Sequence, residues 1–165
     1  FTRTVGFNHI DLQAAADYNV SVARVPGYSP NAIAELSLTL AMSLLRHVAH
    51  TVNKTSKYDF RVDGTMFSKE IRNCKVGIIG TGKIGLTEAK LFKGLGADVY
   101  GFDVFQSEEA KHVVKFVEMD DLLERCDIVS LHVPYFPGKN DKMVNAEFIS
   151  KIMSLSSASI SITLL

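Results

Sequence analysis

Cysteine is scarce in this sequence, neither sign of charge is in surplus, and no apolar run is long. The two cysteines, Cys74 and Cys126, stand far apart, with no Cys-x-x-Cys pair and no Cys/His cluster at metal-ligand spacing. That pattern excludes the usual zinc sites, and no metal ligand set is expected. So few cysteines also argue against a disulfide-stapled secreted domain, and no basic segment followed by an apolar one opens the chain, so a cytoplasmic protein is expected. Lys plus Arg and Asp plus Glu number 18 each, which leaves no net charge to draw in nucleic acid or an anionic membrane surface. Neither partner is expected. The longest apolar stretch, "AIAELSLTLAMSLL", is interrupted by Glu35 and is too short to cross a bilayer, so no transmembrane segment is expected.

What is present is an ordinary globular composition, 47% apolar and 22% charged over 165 residues, about the size of one domain. "FTRTV" and "VSVARV" read as strands around a short helix over "LQAAADYN" that Asp11 can cap. Ser29 and Pro30 mark the start of a longer helix, Ser as cap and Pro where no N–H is needed. That helix carries Ile33, Leu36, Leu40, Leu44 and Val48 on one stripe and Leu38, Met42 and Leu45 on another. An apolar face so wide predicts burial, in its own core or against a second copy. After a polar surface connection, "KVGIIG", "ADVYGFD", "VVKFV", "DIVSLHVP" and "SASISITLL" read as strands. The helices between them fall in "KIGLTEAKLFKGLG", "EMDDLLERC" and "NAEFISKI". In the first, Ile84, Leu91, Phe92 and Leu95 are expected toward the sheet, and Gly94 and Gly96 are the C-cap candidates. Strands alternating with helices imply parallel pairing through right-handed crossovers, with "KVGIIG" at the centre.

The turn "VGIIGTGKIG" has the spacing G-x-G-x-x-G, a weak signal alone, but a strand precedes it, a helix follows, and Asp103 closes the next strand. Gly80 allows the tight turn, Gly82 lets the backbone approach a pyrophosphate, and Gly85 lets the helix pack closely. The anion is expected at the helix start near Lys83 and Ile84, where unpaired N–H groups and the helix dipole favour it. Asp103 can accept hydrogen bonds from both adenosine ribose hydroxyls, and no Arg follows in "VFQSEE" to receive a 2′-phosphate, so NAD is the expected cofactor. Val133 and Pro134 fall at the carboxyl end of a further strand, where ligands of such sheets bind. His132 precedes that end with no carboxylate near it in sequence, and it reads as a structural histidine rather than a general acid.

Taken in order, "RTVGFNHIDL", "VPGYSPNAIAE", "VGIIGTGKIG", "GFD" and "DIVSLHVP" resemble the D-isomer-specific 2-hydroxyacid dehydrogenases, and within them the D-lactate dehydrogenase branch. The resemblance implies an α/β fold, a doubly wound parallel sheet of the Rossmann type. It also implies NAD-dependent interconversion of a small 2-keto acid such as pyruvate and its D-2-hydroxy acid, and a homodimer formed through the long helix. The expected division is a short remnant of a second, substrate domain over 1–25 and a truncated NAD-binding domain over 26–165. By the same resemblance Val5, Gly6 and Tyr28 touch substrate. Gly80, Gly82, Lys83, Ile84, Gly85, Asp103, Val133, Pro134 and Asn140 touch cofactor.

The family's Asn-x-x-Arg-Gly motif is absent here, as are the Glu and His that follow it, so no catalytic residue is assigned. With Phe1 at its start and an uncharged tail, the chain reads as an internal piece of a longer one, limited to cofactor binding. Two other readings stay open: a non-catalytic NAD-sensing module, against which Tyr28-Ser29-Pro30 counts, and an inactive truncated product.

Overall fold

The computed structural model describes the chain except Val5, Tyr28, residues 154–160 and Leu165. It divides into two compact units, Phe1–Pro30 and Asn31–Leu165. In the first, helix α1 (Leu12–Asp17) begins where Asp11 accepts a hydrogen bond from the N–H of Ala14 at 2.9 Å. The two strands expected around it shrink to one parallel bridge, Thr2 with Arg24. Val20 and Val22 are exposed, and strands that bury no apolar face gain little from pairing.

Helix α2 (Pro30–Leu45) opens the second unit. Ser29, the expected cap, sits at φ 41°, outside the extended region of an ordinary N-cap. The helix ends sooner than its apolar stripe: His47 takes φ 51°, and α3 (Val48–Thr55) leaves at a 62° bend. Ala34, Ser37, Ala41 and Leu45 are buried, whereas Leu36, Leu40, Leu44 and Val48 are each about half exposed. The first of the expected stripes therefore faces solvent.

Five parallel strands follow: β1 (Lys75–Ile79), β2 (Asp98–Phe102), β3 (Lys115–Phe116), β4 (Ile128–Leu131) and β5 (Ser161–Leu164), in the order β3-β2-β1-β4-β5. Strand β1 is central, with Ile79 beside Phe102 on one flank and Leu131 on the other. Between the strands run α4 (Lys83–Gly94), the short α5 (Glu108–Lys111), α6 (Met119–Arg125) and α7 (Ala146–Met153). Alternation along the strands splits the core into two layers, as a doubly wound sheet requires. Val76, Ile78, Val99 and Ile128 pack with Ala41 and Leu45 of α2 and Ala89 and Phe92 of α4. Ile79, Tyr100, Val129 and Leu131 pack with Leu122 and Leu123 of α6 and with Phe148 and Ile152 of α7.

The buried face of α4 is Gly85, Leu86, Glu88, Ala89 and Phe92. Of the residues expected toward the sheet only Phe92 is fully buried, and Leu95 is about half exposed. Gly96, at φ 87°, closes this helix: its N–H bonds to Lys93 O and that of Ala97 to Phe92 O. Gly94 is the last helical residue and not a cap. No single helix among the described residues is long and apolar enough to cross a membrane.

Candidate functional site

At the carboxyl edge of the sheet, where strand order reverses between β1 and β4, a cleft of about 640 Å³ opens. Gly80 and Gly82 line it from the turn after β1, Phe102, Asp103 and Val104 from the end of β2, and His132, Val133 and Pro134 from the end of β4. Ladder bonds hold these three strand ends together: Gly80 N–H donates to Phe102 O and His132 N–H to Ile79 O, both at 2.8 Å.

The turn itself depends on two glycines. Gly80 has φ 91°, and a Cβ there would stand 2.8 Å from the backbone carbon of His132. A Cβ on Gly85 would fall 2.0 Å from the Gly80 carbonyl oxygen, so α4 packs directly on the turn that precedes it. Gly82, the N-cap of α4, has open space where a side chain would stand, beside the cleft. Lys83 and Ile84 are the first two helical residues, and the N–H groups of a first turn have no carbonyl within their own helix. An anion laid over Gly82 would meet those donors and the positive end of the helix dipole.

Asp103 is half-buried at the rim. Its Oδ2 accepts from Thr81 twice, from the N–H at 2.6 Å and the hydroxyl at 3.1 Å, and its Oδ1 accepts from the Phe105 N–H at 3.0 Å. A carboxylate offers about four lone-pair sites, so capacity remains on Oδ1. Across the cleft, Asn140 closes its own loop. Its Nδ2 donates to Pro134 O at 2.8 Å and its Oδ1 accepts from Phe136 N–H at 2.7 Å. Asp141 accepts from the Tyr135 hydroxyl and the Gly138 N–H, and these bonds hold its carboxyl below the usual range. Phe136, Lys139 and Met143 of this loop also line the cleft, and sequence spacing did not mark them.

Behind the cleft lies a polar cluster the sequence did not announce. Glu88 of α4 is wholly buried, accepts from the Ser37 hydroxyl of α2 and pairs with His132 Nε2. Ser130 of β4 joins the set, 3.0 Å from His132 Nε2 and 3.2 Å from Ser37 Oγ. The His132 side chain is 2% exposed, so it meets the cleft through its backbone. The one available hint was a charged residue on the three-and-four spacing of Gly85, Ala89 and Phe92.

Of the expected substrate residues, Val5 and Tyr28 lie outside the described residues. Gly6 is exposed, its carbonyl accepting from the Thr4 hydroxyl at 2.6 Å. Among the described residues no group of His, Cys, Asp and Glu is arranged to hold a metal.

A parallel, doubly wound sheet with a glycine turn at its carboxyl edge and a carboxylate closing the next strand defines a Rossmann-type dinucleotide-binding domain. The family model described as D-isomer specific 2-hydroxyacid dehydrogenase, NAD binding domain, matches residues 38–156, and the chain belongs to that family.

A D-lactate dehydrogenase of Treponema pallidum is 40% identical over 151 residues, 92% of this chain and 45% of that protein. An aromatic 2-oxoacid reductase of Clostridium sporogenes is 37% identical over 152 residues, again 92% of this chain and 45% of its own length. The crystal structure of a D-lactate dehydrogenase from Aquifex aeolicus, complexed with NAD and lactic acid, superposes with a TM-score of 0.82 at 32% identity, covering 91% of this chain and 45% of that one. The chain thus spans a little under half the length of the relatives it matches.

Proposed function

We propose that the cleft takes NAD as its ligand, pyrophosphate over Gly82 at the start of α4 and adenosine ribose at Asp103, and that the chain serves an oxidoreductase acting on a small 2-keto or D-2-hydroxy acid. The observation that carries the reading is the convergence of Gly80, of Gly82 at the N-cap of α4, and of Asp103 on one cleft. In this reading Lys83 and Ile84 face the pyrophosphate through their N–H groups, and Gly85 fixes the turn they start from. Val133, Pro134 and the loop braced by Asn140 bound the side of the cleft where the reacting ring would lie. NAD, when bound, supplies the hydride acceptor; the protein holds and orients it.

The names of the relatives, a D-lactate dehydrogenase and an aromatic 2-oxoacid reductase, support the substrate class. We keep the division the resemblance implies, 1–25 as a remnant of a substrate-binding part and 26–165 for the cofactor, with Val5, Gly6 and Tyr28 as the substrate contacts the resemblance implies. The half-exposed leucines of α2 support a homodimer, and two buried thiols not joined in a disulfide support a cytoplasmic setting.

Within these 165 residues the function we assign is cofactor binding. His132 is no proton donor to the cleft, because its Nε2 is engaged with Glu88 and Ser130. Titration followed by NADH fluorescence tests both points. Binding is expected, weakened about tenfold or more by Asp103→Ala, as loss of a charge-assisted hydrogen bond of roughly 1.5–3 kcal/mol implies. Added pyruvate should leave the NADH unoxidised. Equal affinity in the variant would remove Asp103 from the site; turnover abolished by His132→Ala in a protein that still melts cooperatively and binds NADH would make that histidine catalytic.

A further inference from the structure

Thr81 sits inside the glycine turn, between two residues that line the cleft, yet is itself only 5% exposed. Two of the three donors on the Asp103 carboxylate are its N–H and its hydroxyl, both on Oδ2. Its methyl stands over β2 at Gly101, where an added Cβ would come within 3.2 Å of Thr81 Cγ2. The residue is thus fixed by packing on one side and spends its polar atoms on one carboxylate oxygen.

We propose that Thr81 is a positioning residue for cofactor selectivity: by pinning Asp103 it makes that carboxylate a fixed negative charge, which NADPH must meet with its 2′-phosphate. This inference rests on the reading that Asp103 faces the ribose. The terminal torsion of an aspartate is broad, so an unheld carboxylate can turn aside from a phosphate and lessen the repulsion. Held at both oxygens, by Thr81 on Oδ2 and by Phe105 N–H on Oδ1, Asp103 lacks that escape. Capacity left on Oδ1 then remains aligned for a ribose hydroxyl, and the same turn that approaches the pyrophosphate sets the discriminating charge. Removing the hydroxyl alone leaves the amide bond in place, so selectivity should narrow and not vanish.

The test is titration of the full chain with NADH and with NADPH, in the wild type, Thr81→Val, Thr81→Ser, Asp103→Ala and the Thr81→Val/Asp103→Ala double variant. Melting temperature is read alongside. Valine keeps the shape and the methyl of threonine without the hydroxyl, and serine keeps the hydroxyl without the methyl. The NADH-over-NADPH affinity ratio is expected to fall about threefold to tenfold in Thr81→Val, from the loss of one net hydrogen bond. It should hold in Thr81→Ser and fall furthest in Asp103→Ala. In the double variant it should fall no further than in Asp103→Ala, since a residue acting through another adds nothing once the other is gone.

A ratio unmoved in Asp103→Ala would overturn the ribose reading itself. A ratio that moves there but stays at the wild-type value in Thr81→Val would overturn this inference alone. Equal weakening of both cofactors in Thr81→Val, with a lower melting temperature, would also overturn it, by reducing Thr81 to a structural role.

Discussion

Glu88 and His132 form the sharpest case of one residue depending on another in this chain. Glu88 is buried on α4, the His132 side chain is buried just past the end of β4, and each satisfies the other together with Ser37 and Ser130. Removing one member strands the rest away from water, so Glu88→Ala should be clearly destabilising, since each buried polar group left without a partner costs about 1–3 kcal/mol. In the double variant Glu88→Leu/His132→Leu the apolar pair strands fewer groups, and its loss should be well below the sum of the single losses. Urea unfolding of the wild type, Glu88→Leu, His132→Leu and the double variant gives the comparison, and additive losses would dissolve the pairing. The structural part of His132 was legible, but its partners were not, since positions 37, 88, 130 and 132 meet only through the fold, and a lone Glu reads as solvent-facing. Gly80, Gly82, Gly85 and Asp103 were legible for the opposite reason. Turn chemistry is local, and the spacing itself states what the backbone must do. Cys126, a residue away from charged Asp127, is a thiol that burial pushes up to about 12, inert rather than reactive.

Among the elements, α4 shows how a helix can be found and its face still misjudged. The apolar positions Ile84, Leu91, Phe92 and Leu95 suggest one stripe, but Leu86, Ala89 and Phe92 are what the sheet covers. Gly85 decides this, because its contact with the Gly80 carbonyl sets the rotation of the whole helix about its axis. Phe92→Ala should therefore cost about 3–5 kcal/mol, as large core truncations do. Leu95→Ala, in a side chain 43% exposed, should cost under about 1 kcal/mol. Thermal or denaturant unfolding separates the two, and similar losses would return the helix to the face first expected. Strands β1, β2 and β4 were readable as short apolar runs, the mark of parallel strands covered on both faces. The valines of "VSVARV" gave the same signal without such cover, so propensity alone misled. The break at His47 had no Gly or Pro to mark it.

For the molecule as a whole, right-handed crossovers were enough to put β1 in the middle, which is where it lies. The half-exposed row Leu36, Leu40, Leu44 and Val48 leads to an assembly prediction. Sedimentation should show a dimer, and Leu40→Glu should yield monomers with unchanged NADH affinity, because a two-fold contact sets the new charge close to its own copy. A wild type that sediments as a monomer would leave the row as exposed surface only. The central place of β1 also governs the order in which the chain can be built. Its neighbour β2 is made only after all of α4, and β4 only after β2, α5, β3 and α6 have followed. At roughly 5–20 residues per second of synthesis, the Val76–Ile79 segment waits some seconds with both edges unpaired, and then longer with the β4 edge still open. A nascent chain in that interval carries an apolar strand open to its neighbours, so its yield in the cell should depend on holding chaperones and on growth temperature more than its finished stability would suggest.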